Sequence, residues 1–404
     1  MAEYDVIVVG GGPAGATAAR KSVQNGLNVL LLDKATFPRN KPCAGGLKDF
    51  VLELLDFDIS SVIHRKISGV ALFAPEGYRV DCIPEDRSKP GWTVMREDFD
   101  HLLLKKASEA GAVVKEGAEV MDVQESAREI TVTCMDGNSY TSNYLVGADG
   151  INSIVAKQLG FYKGWRKDSA SVAIEIEAEV GSEKVKEICG EPGGYDAELL
   201  LLYFGDFPHG YAWCFPKKTV LSVGACCRQD KVTNIRAGYD AWFERFKKAH
   251  DIEPKILSDS ASRFPLRPAE TIVKGRSLLI GDAAGLVDAF TGEGIPEAIE
   301  SGIFAADAVK DAVRGDNPQT LKSYEKQCQK TIQSELKVSQ SLANVFFKNA
   351  KNMDILCRFF RDDPYARYLI AASIGGLLSQ KEIKKKMTFR MMKTMPKDAL
   401  SLYM

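Results

Sequence analysis

Gly10-Gly11-Gly12-Pro13-Ala14-Gly15, followed by Asp33, is a set of residues that can hold a dinucleotide, the acid falling at the usual distance of about 20 residues. Gly10 permits a tight turn, Gly12 lets a pyrophosphate approach the backbone, and Gly15 lets the next helix pack closely on the preceding strand. Pro13 and Ala14 open that helix, whose positive end faces the phosphates. Asp33 would accept hydrogen bonds from a ribose hydroxyl pair. The elements these residues require occur in order: Tyr4 to Val9 is a β-branched run, Ala14 to Ser22 an alanine-rich helical stretch, and Asn28 to Leu32 a second buried strand. This fingerprint alone does not separate NAD from FAD.

The separation comes from far along the chain. Ser277 to Ile280 is a buried strand ending on Gly281-Asp282-Ala283-Ala284, and Thr291-Gly292-Glu293-Gly294-Ile295-Pro296 starts a helix. An aspartate at a strand's end can bind ribityl hydroxyls, and the following helix N-terminus can stabilise negative charge on the N1–O2 edge of a reduced flavin. Together the two motifs resemble the p-hydroxybenzoate hydroxylase-like flavoprotein superfamily, from Met1 to about Arg314. Met95-Arg96-Glu97-Asp98-Phe99-Asp100 and Gly147-Ala148-Asp149-Gly150 extend the match. The resemblance implies FAD as cofactor, lined by Ala14, Asp33, Lys34, Arg96, the Val120 backbone near the adenine, Asp282, Gly292, Gly294 and Ile295.

Lys41-Pro42-Cys43-Ala44-Gly45-Gly46 and Gly210-Tyr211-Ala212-Trp213-Cys214-Phe215-Pro216-Lys217 narrow it further. They resemble the P-C-x-x-G-type loop and the Y-x-W-x-F-P motif of the geranylgeranyl reductase family, which includes the archaeal digeranylgeranylglycerophospholipid reductases. That resemblance implies saturation of isoprenoid double bonds with FADH2 as immediate reductant, and it puts Cys43, Ala44 and Gly46 beside the isoalloxazine. Tyr211, Trp213 and Phe215 alternate, so on a strand all three would project from one face and offer an aromatic wall to a hydrocarbon chain. An isolated alkene is a poor electrophile and needs a proton with the hydride. Cys43, Tyr211 and ordered water are the candidate donors. An ordinary thiol pKa of about 8.5 favours a pocket-shaping role for Cys43.

The remaining composition bounds the setting. Lys plus Arg (53) nearly cancel Asp plus Glu (54), so no overall field points to nucleic acid. Nine cysteines without a C-x-x-C pair argue against a disulfide framework and fit a reducing cytoplasm. The four histidines show no ligand spacing, and no metal is expected. Met1 leads directly into a strand, unlike a signal peptide, and the longest apolar stretch, Tyr368 to Leu378, falls short of the ~20 residues of a spanning helix. The tail carries Lys381, Lys384, Lys385, Lys386, Arg390, Lys393 and Lys397 interleaved with Met387, Phe389, Met391, Met392 and Met395. It reads either as a surface resting on anionic lipid headgroups, giving peripheral contact with the inner membrane face, or as a solvated helix packed on the body.

The expected fold is α/β: a Rossmann-type FAD-binding domain in two parts (1–165 and 271–317), an inserted β-rich substrate domain (166–270) and a helical C-terminal region (318–404). The expected partners are a geranylgeranyl-bearing lipid and an electron donor. No second dinucleotide fingerprint exists, so either NAD(P)H binds transiently or a ferredoxin-like protein reduces the flavin. Two rival readings share this fold: a flavin monooxygenase, recognised by an oxygen adduct of the reduced flavin in air, and a non-catalytic isoprenoid-lipid carrier with structural flavin.

Overall fold

The computed structural model describes residues 2–402; Met1, Tyr403, Met404 and the side chain of Ile374 lie outside the described residues. Among the described residues, two sheets of eight and nine strands organise the chain. The first is the nucleotide sheet. Tyr4–Val9 pairs in parallel with Val29–Leu32 on one side and Ser139–Gly147 on the other, and Ser277–Leu279 continues in parallel beyond Ser139–Gly147. These strands are continuous apolar runs because both their faces are covered. The register sets Val9 opposite both Leu32 and Gly147, and Gly147 opposite Leu279. Four strands therefore end at one level, and every motif that follows a strand end emerges on the same edge. Ligands of open parallel sheets bind outside that carboxyl edge.

Two helices cover this sheet, Pro13–Gln24 and Ile295–Gly315. They meet through small side chains: a Cβ on Gly302 would stand 2.6 Å from the Ala14 carbonyl oxygen, and one on Gly281 3.0 Å from the Ala14 Cβ. The expected meander is present, with Val120–Glu125 and Ile130–Cys134 leading antiparallel into Ser139–Gly147. The run from Val113 to Val123, read as one strand, is two, Val113–Lys115 and Val120–Glu125, because Gly117 turns the chain at φ 69°.

The second sheet runs Lys255–Pro265, Ala170–Glu179, Val220–Arg228, Gly210–Pro216, Glu198–Tyr203, Ile63–Phe73, Gly91–Val94, Gly46–Leu47, with Arg79–Cys82 beside Ile63–Phe73. Its composition corrects the expected boundaries. Strands between 46 and 94, assigned by sequence to the first domain, belong to the second sheet through the parallel pairing of Ile63–Phe73 with Glu198–Tyr203. Local alternation predicts strands there but carries no record of so distant a partner.

One face of this sheet packs on helix Ile235–His250 through Tyr239, Trp242, Phe243 and Phe246, a helix the sequence reading leaves unassigned. The other face meets the C-terminal helices, among them Ile332–Phe346, Ala350–Asp362, Pro364–Ile374 and Gln380–Thr394. Gln380–Thr394 begins at a capping box formed by Ser379 and Glu382. It turns Met391 inward and leaves Phe389 74% and Met392 46% exposed. No described helix is long and apolar enough to cross a membrane.

Candidate functional site

One continuous cavity of about 850 Å³ lies between the carboxyl edge of the nucleotide sheet and the second sheet. It gathers Gly10, Gly12, Pro13, Ala14, Asp33, Lys34, Cys43, Ala44, Gly46, Arg96, Val120, Asp282, Gly292, Gly294 and Ile295, together with Tyr211, Trp213 and Phe215. Gly15 lies just behind the lining. Its Cβ position is 1.8 Å from the Gly10 carbonyl oxygen, so it sets how closely the helix approaches the strand.

The nucleotide end can be tested for its fit to FAD. Gly10 stands at φ 106°, in the left-handed region that favours glycine. A Cβ on Gly12 would meet nothing closer than 3.6 Å, at the Arg39 guanidinium, so the space over it is open. The helix beginning there has no side-chain cap and no acid in its first turn, leaving its amide groups available to an anion. The Nη1 of Arg39 is buried without a hydrogen-bond partner among the described residues, while its Nη2 pairs with Asp100 at 2.9 Å. A glycine cradle, a bare helix N-terminus and an unpartnered guanidinium nitrogen fit a pyrophosphate. Arg39 is a residue sequence reasoning missed; its signal is a cation in the loop between Asp33 and Cys43.

The Asp33 carboxylate accepts from the Gly11 amide at 2.5 Å and the Ala35 amide at 2.7 Å, which orders the loop around it. Arg96 is buried in a two-pronged pair with Asp100, both contacts 2.8 Å, and lies beside the Cys43 thiol. Asp149 caps Ile154–Gln158 through the Ile154 amide at 2.7 Å and keeps Oδ1 buried and unpartnered among the described residues. Asp282 follows Gly281 (φ 55°) at the end of the last parallel strand and faces the cavity. We expect Asp282→Ala to weaken FAD binding by roughly 1–3 kcal/mol, through loss of one or two hydrogen bonds. Unchanged affinity on titration of the apoprotein with FAD would remove Asp282 from the cofactor site.

The far end of the cavity is aromatic and aliphatic. Trp213 lies over Gly224, where a Cβ would come within 2.2 Å of the indole ring, and its Nε1 is buried without a partner among the described residues. Tyr211 donates its hydroxyl hydrogen to the Thr291 carbonyl, tying the aromatic strand to the loop before Gly292, and burial pushes its phenol well above the ordinary range. Leu72, Leu202, Phe204, Phe346, Phe347 and Ile370 complete the chamber. The last three come from the C-terminal helices, for which sequence reasoning assigns no part in the site.

A buried charged cluster under the Cys43 loop is likewise absent from the sequence reading. Glu175 accepts from the Cys43 amide and from Ser222 Oγ. Lys217, 0% exposed, donates to the carbonyls of Ala44 and Val94. Burial pushes Glu177 up to about 8, raises Glu175, and pulls Lys217 below the usual lysine range against the attraction of both acids. The direction of all three is that burial outweighs pairing, so near neutral pH the cluster holds a proton on Glu177.

The sequence profile of the FAD binding domain family matches residues 3–339. The chain is 28% identical over 398 residues to digeranylgeranylglycerophospholipid reductase 1 of Methanococcoides burtonii, covering 93% of this chain and 92% of that one. It is 30% identical over 328 residues to geranylgeranyl diphosphate reductase of Rhodobacter capsulatus, covering 79% and 78%. Its fold matches that of a geranylgeranyl bacteriochlorophyll reductase-like protein of Thermoplasma acidophilum with a TM-score of 0.84 at 23% identity, over 99% of this chain and 98% of that one. With the family profile spanning most of the chain and named relatives matched over most of their length, the protein belongs to the FAD-binding flavoproteins, within their geranylgeranyl reductase family, and its cofactor is FAD.

Proposed function

We propose that this protein saturates geranylgeranyl double bonds in isoprenoid membrane-lipid precursors. The observation that carries the reading is the continuity of the cavity: the cradle of Gly12 and Asp282 opens without a partition into the chamber of Trp213, Phe215, Leu202 and Phe347. A hydrocarbon chain in that chamber would be shielded from water, and electron-rich rings stabilise cationic character developing on an alkene as it takes a proton. Bound FAD, once reduced, supplies the hydride. Gly12, Arg39, Asp33 and Asp282 would hold the cofactor, with Val120 near its adenine and Gly294 and Ile295 at its far end. The relatives' names supply the substrate class.

The reading is tested by incubating dithionite-reduced protein anaerobically with a geranylgeranyl phospholipid and weighing the product by mass spectrometry. A gain of two hydrogens per double bond is expected; reoxidation only on admitting air, with oxygen found in the lipid, would make it a monooxygenase. Unchanged lipid beside persistently reduced flavin would make it a carrier.

Two variants separate the parts. Trp213→Ala should keep its yellow colour and lose turnover of the long-chain lipid; lost flavin with lipid reduction restored by added FAD would put Trp213 in the cofactor site instead. Cys43→Ser should leave measurable turnover with an altered flavin spectrum. Undetectable reduction in an anaerobic single turnover, with FAD content, flavin spectrum and lipid binding intact, would make the thiol the proton donor.

A further inference from the structure

Saturating an alkene requires a proton as well as a hydride, and the aromatic chamber offers few groups to give one. The Tyr211 hydroxyl is already engaged with Thr291. Glu175 is different: it lines the cavity and is 3% exposed. One of its oxygens accepts from the Cys43 amide and the other from the Ser222 hydroxyl. Ser222 stands directly opposite Glu177 in the antiparallel pair, and residues so placed have Cβ atoms about 4.5–5.5 Å apart. Glu177 is buried, and its Oε2 has no hydrogen-bond partner among the described residues. The nearest acid acting on it from another element is Glu97, which is exposed at the first turn of helix Arg96–Ala110. Glu177, Ser222 and Glu175 thus sit together on two paired strands, with a solvent-exposed acid within electrostatic reach of Glu177 and the cavity at Glu175.

We propose that Glu177, Ser222 and Glu175 are the route by which protons enter this active site, with Glu175 the group that hands the proton to the substrate side of the cavity. This rests on the reductase reading above. Per double bond, a hydride from reduced FAD and the proton of Glu175 become two C–H bonds as the π bond is lost. Glu175 regains its proton from the Ser222 hydroxyl, Ser222 from Glu177, and Glu177 from water at Glu97. The charged and titratable groups that face the route are Lys217 from the turn after Gly210–Pro216, Arg96 and Glu97 from the helix, and Cys43 from the loop. Lys217 and Arg96 favour the ionised acids and burial opposes them, leaving Glu177 the group that titrates near pH 8.

The test uses the FAD-loaded protein. Infrared spectra across pH 6–10 should show a protonated-carboxyl stretch that disappears near pH 8 (the range set by the Glu177 position) and is missing in Glu177→Gln. This readout does not need lipid turnover, so a protein that shows it but leaves the lipid unreduced has lost its substrate assignment and not its proton route. With lipid, single-turnover reduction should slow as pH rises through 8. Glu175→Gln should be at least about tenfold slower at every pH while retaining FAD, a modest loss for a general acid, and Glu175→Asp should recover part of it. Wild-type rates in Glu175→Gln, or no carboxyl band that Glu177→Gln removes, would overturn the route. Should Glu175→Gln lose its flavin, Glu177→Gln decides, and an unaltered pH profile there overturns it equally.

Discussion

Gly15→Ala is expected to purify colourless. The Cβ it introduces would stand 1.8 Å from the Gly10 carbonyl oxygen and 3.0 Å from the Ala148 Cβ, and the nearest of these is backbone that no rotamer change can move aside. Relief requires the whole N-terminal end of Pro13–Gln24 to back away from Tyr4–Val9. That motion carries the free amide groups off the phosphate position. It also breaks the close contact of Ala14 with Gly302 in helix Ile295–Gly315 and with Gly281 before Asp282. One methyl group therefore disturbs both helix N-termini that face the cavity. Visible absorbance and fluorescence titration with FAD measure the loss, with circular dichroism to show that the chain still folds. A folded, yellow Gly15→Ala protein would mean that the glycine is not what sets the approach of helix to strand.

Lys217→Met should produce the largest loss of stability among single charge removals in the site, about 3–5 kcal/mol. The side chain is fully buried and its amine serves two backbone carbonyls, so its removal leaves two acceptors unpaired and two buried acids without their cation. The deficit should depend on pH. Burial raises the Glu177 carboxyl from 4.5 to about 8 in the folded protein, so the stability tied to its protonated form is complete below the unfolded value and is lost as pH rises toward the folded one. Without Lys217 that upward displacement grows. Below about pH 8 the Glu177 carboxyl stays protonated in both folded proteins, so the gap in melting temperature between Lys217→Met and wild type should stay level up to there and widen as pH rises above it, where only the wild type ionises. A gap that stays constant would mean that Lys217 acts only through its hydrogen bonds.

The cofactor end of the cavity was legible because each of its parts is local. Gly10 to Gly15, Asp33 and Gly281-Asp282 are contiguous runs tied to strand ends, and parallel register brings strand ends to one edge. The strand Ala170–Glu179 shows what was not legible. Ile174, Ile176 and Ala178 alternate with Glu175, Glu177 and Glu179, and a period of two correctly assigns them to opposite faces. By itself, that pattern puts the acids toward water. Here the apolar face packs on the aromatic helix Ile235–His250, and on the acidic face Glu175 lines the cavity. The pattern gives the alternation and not what lies on either side. The helix left a usable signal, since Tyr239, Trp242, Phe243 and Phe246 follow helical spacing. Phe346, Phe347 and Ile370 left none, because only tertiary packing brings separate helices to one chamber.

The two ends of the cavity answer to different parts of the chain. The matched family region stops at residue 339, short of Phe346, and the helices beyond it pack on the second sheet rather than on the nucleotide sheet. The wall formed by Phe346, Phe347 and Ile370 is therefore built from elements that make no part of the cofactor cradle, so substitutions there would resize the chamber like a sliding stop while the flavin stays where it is.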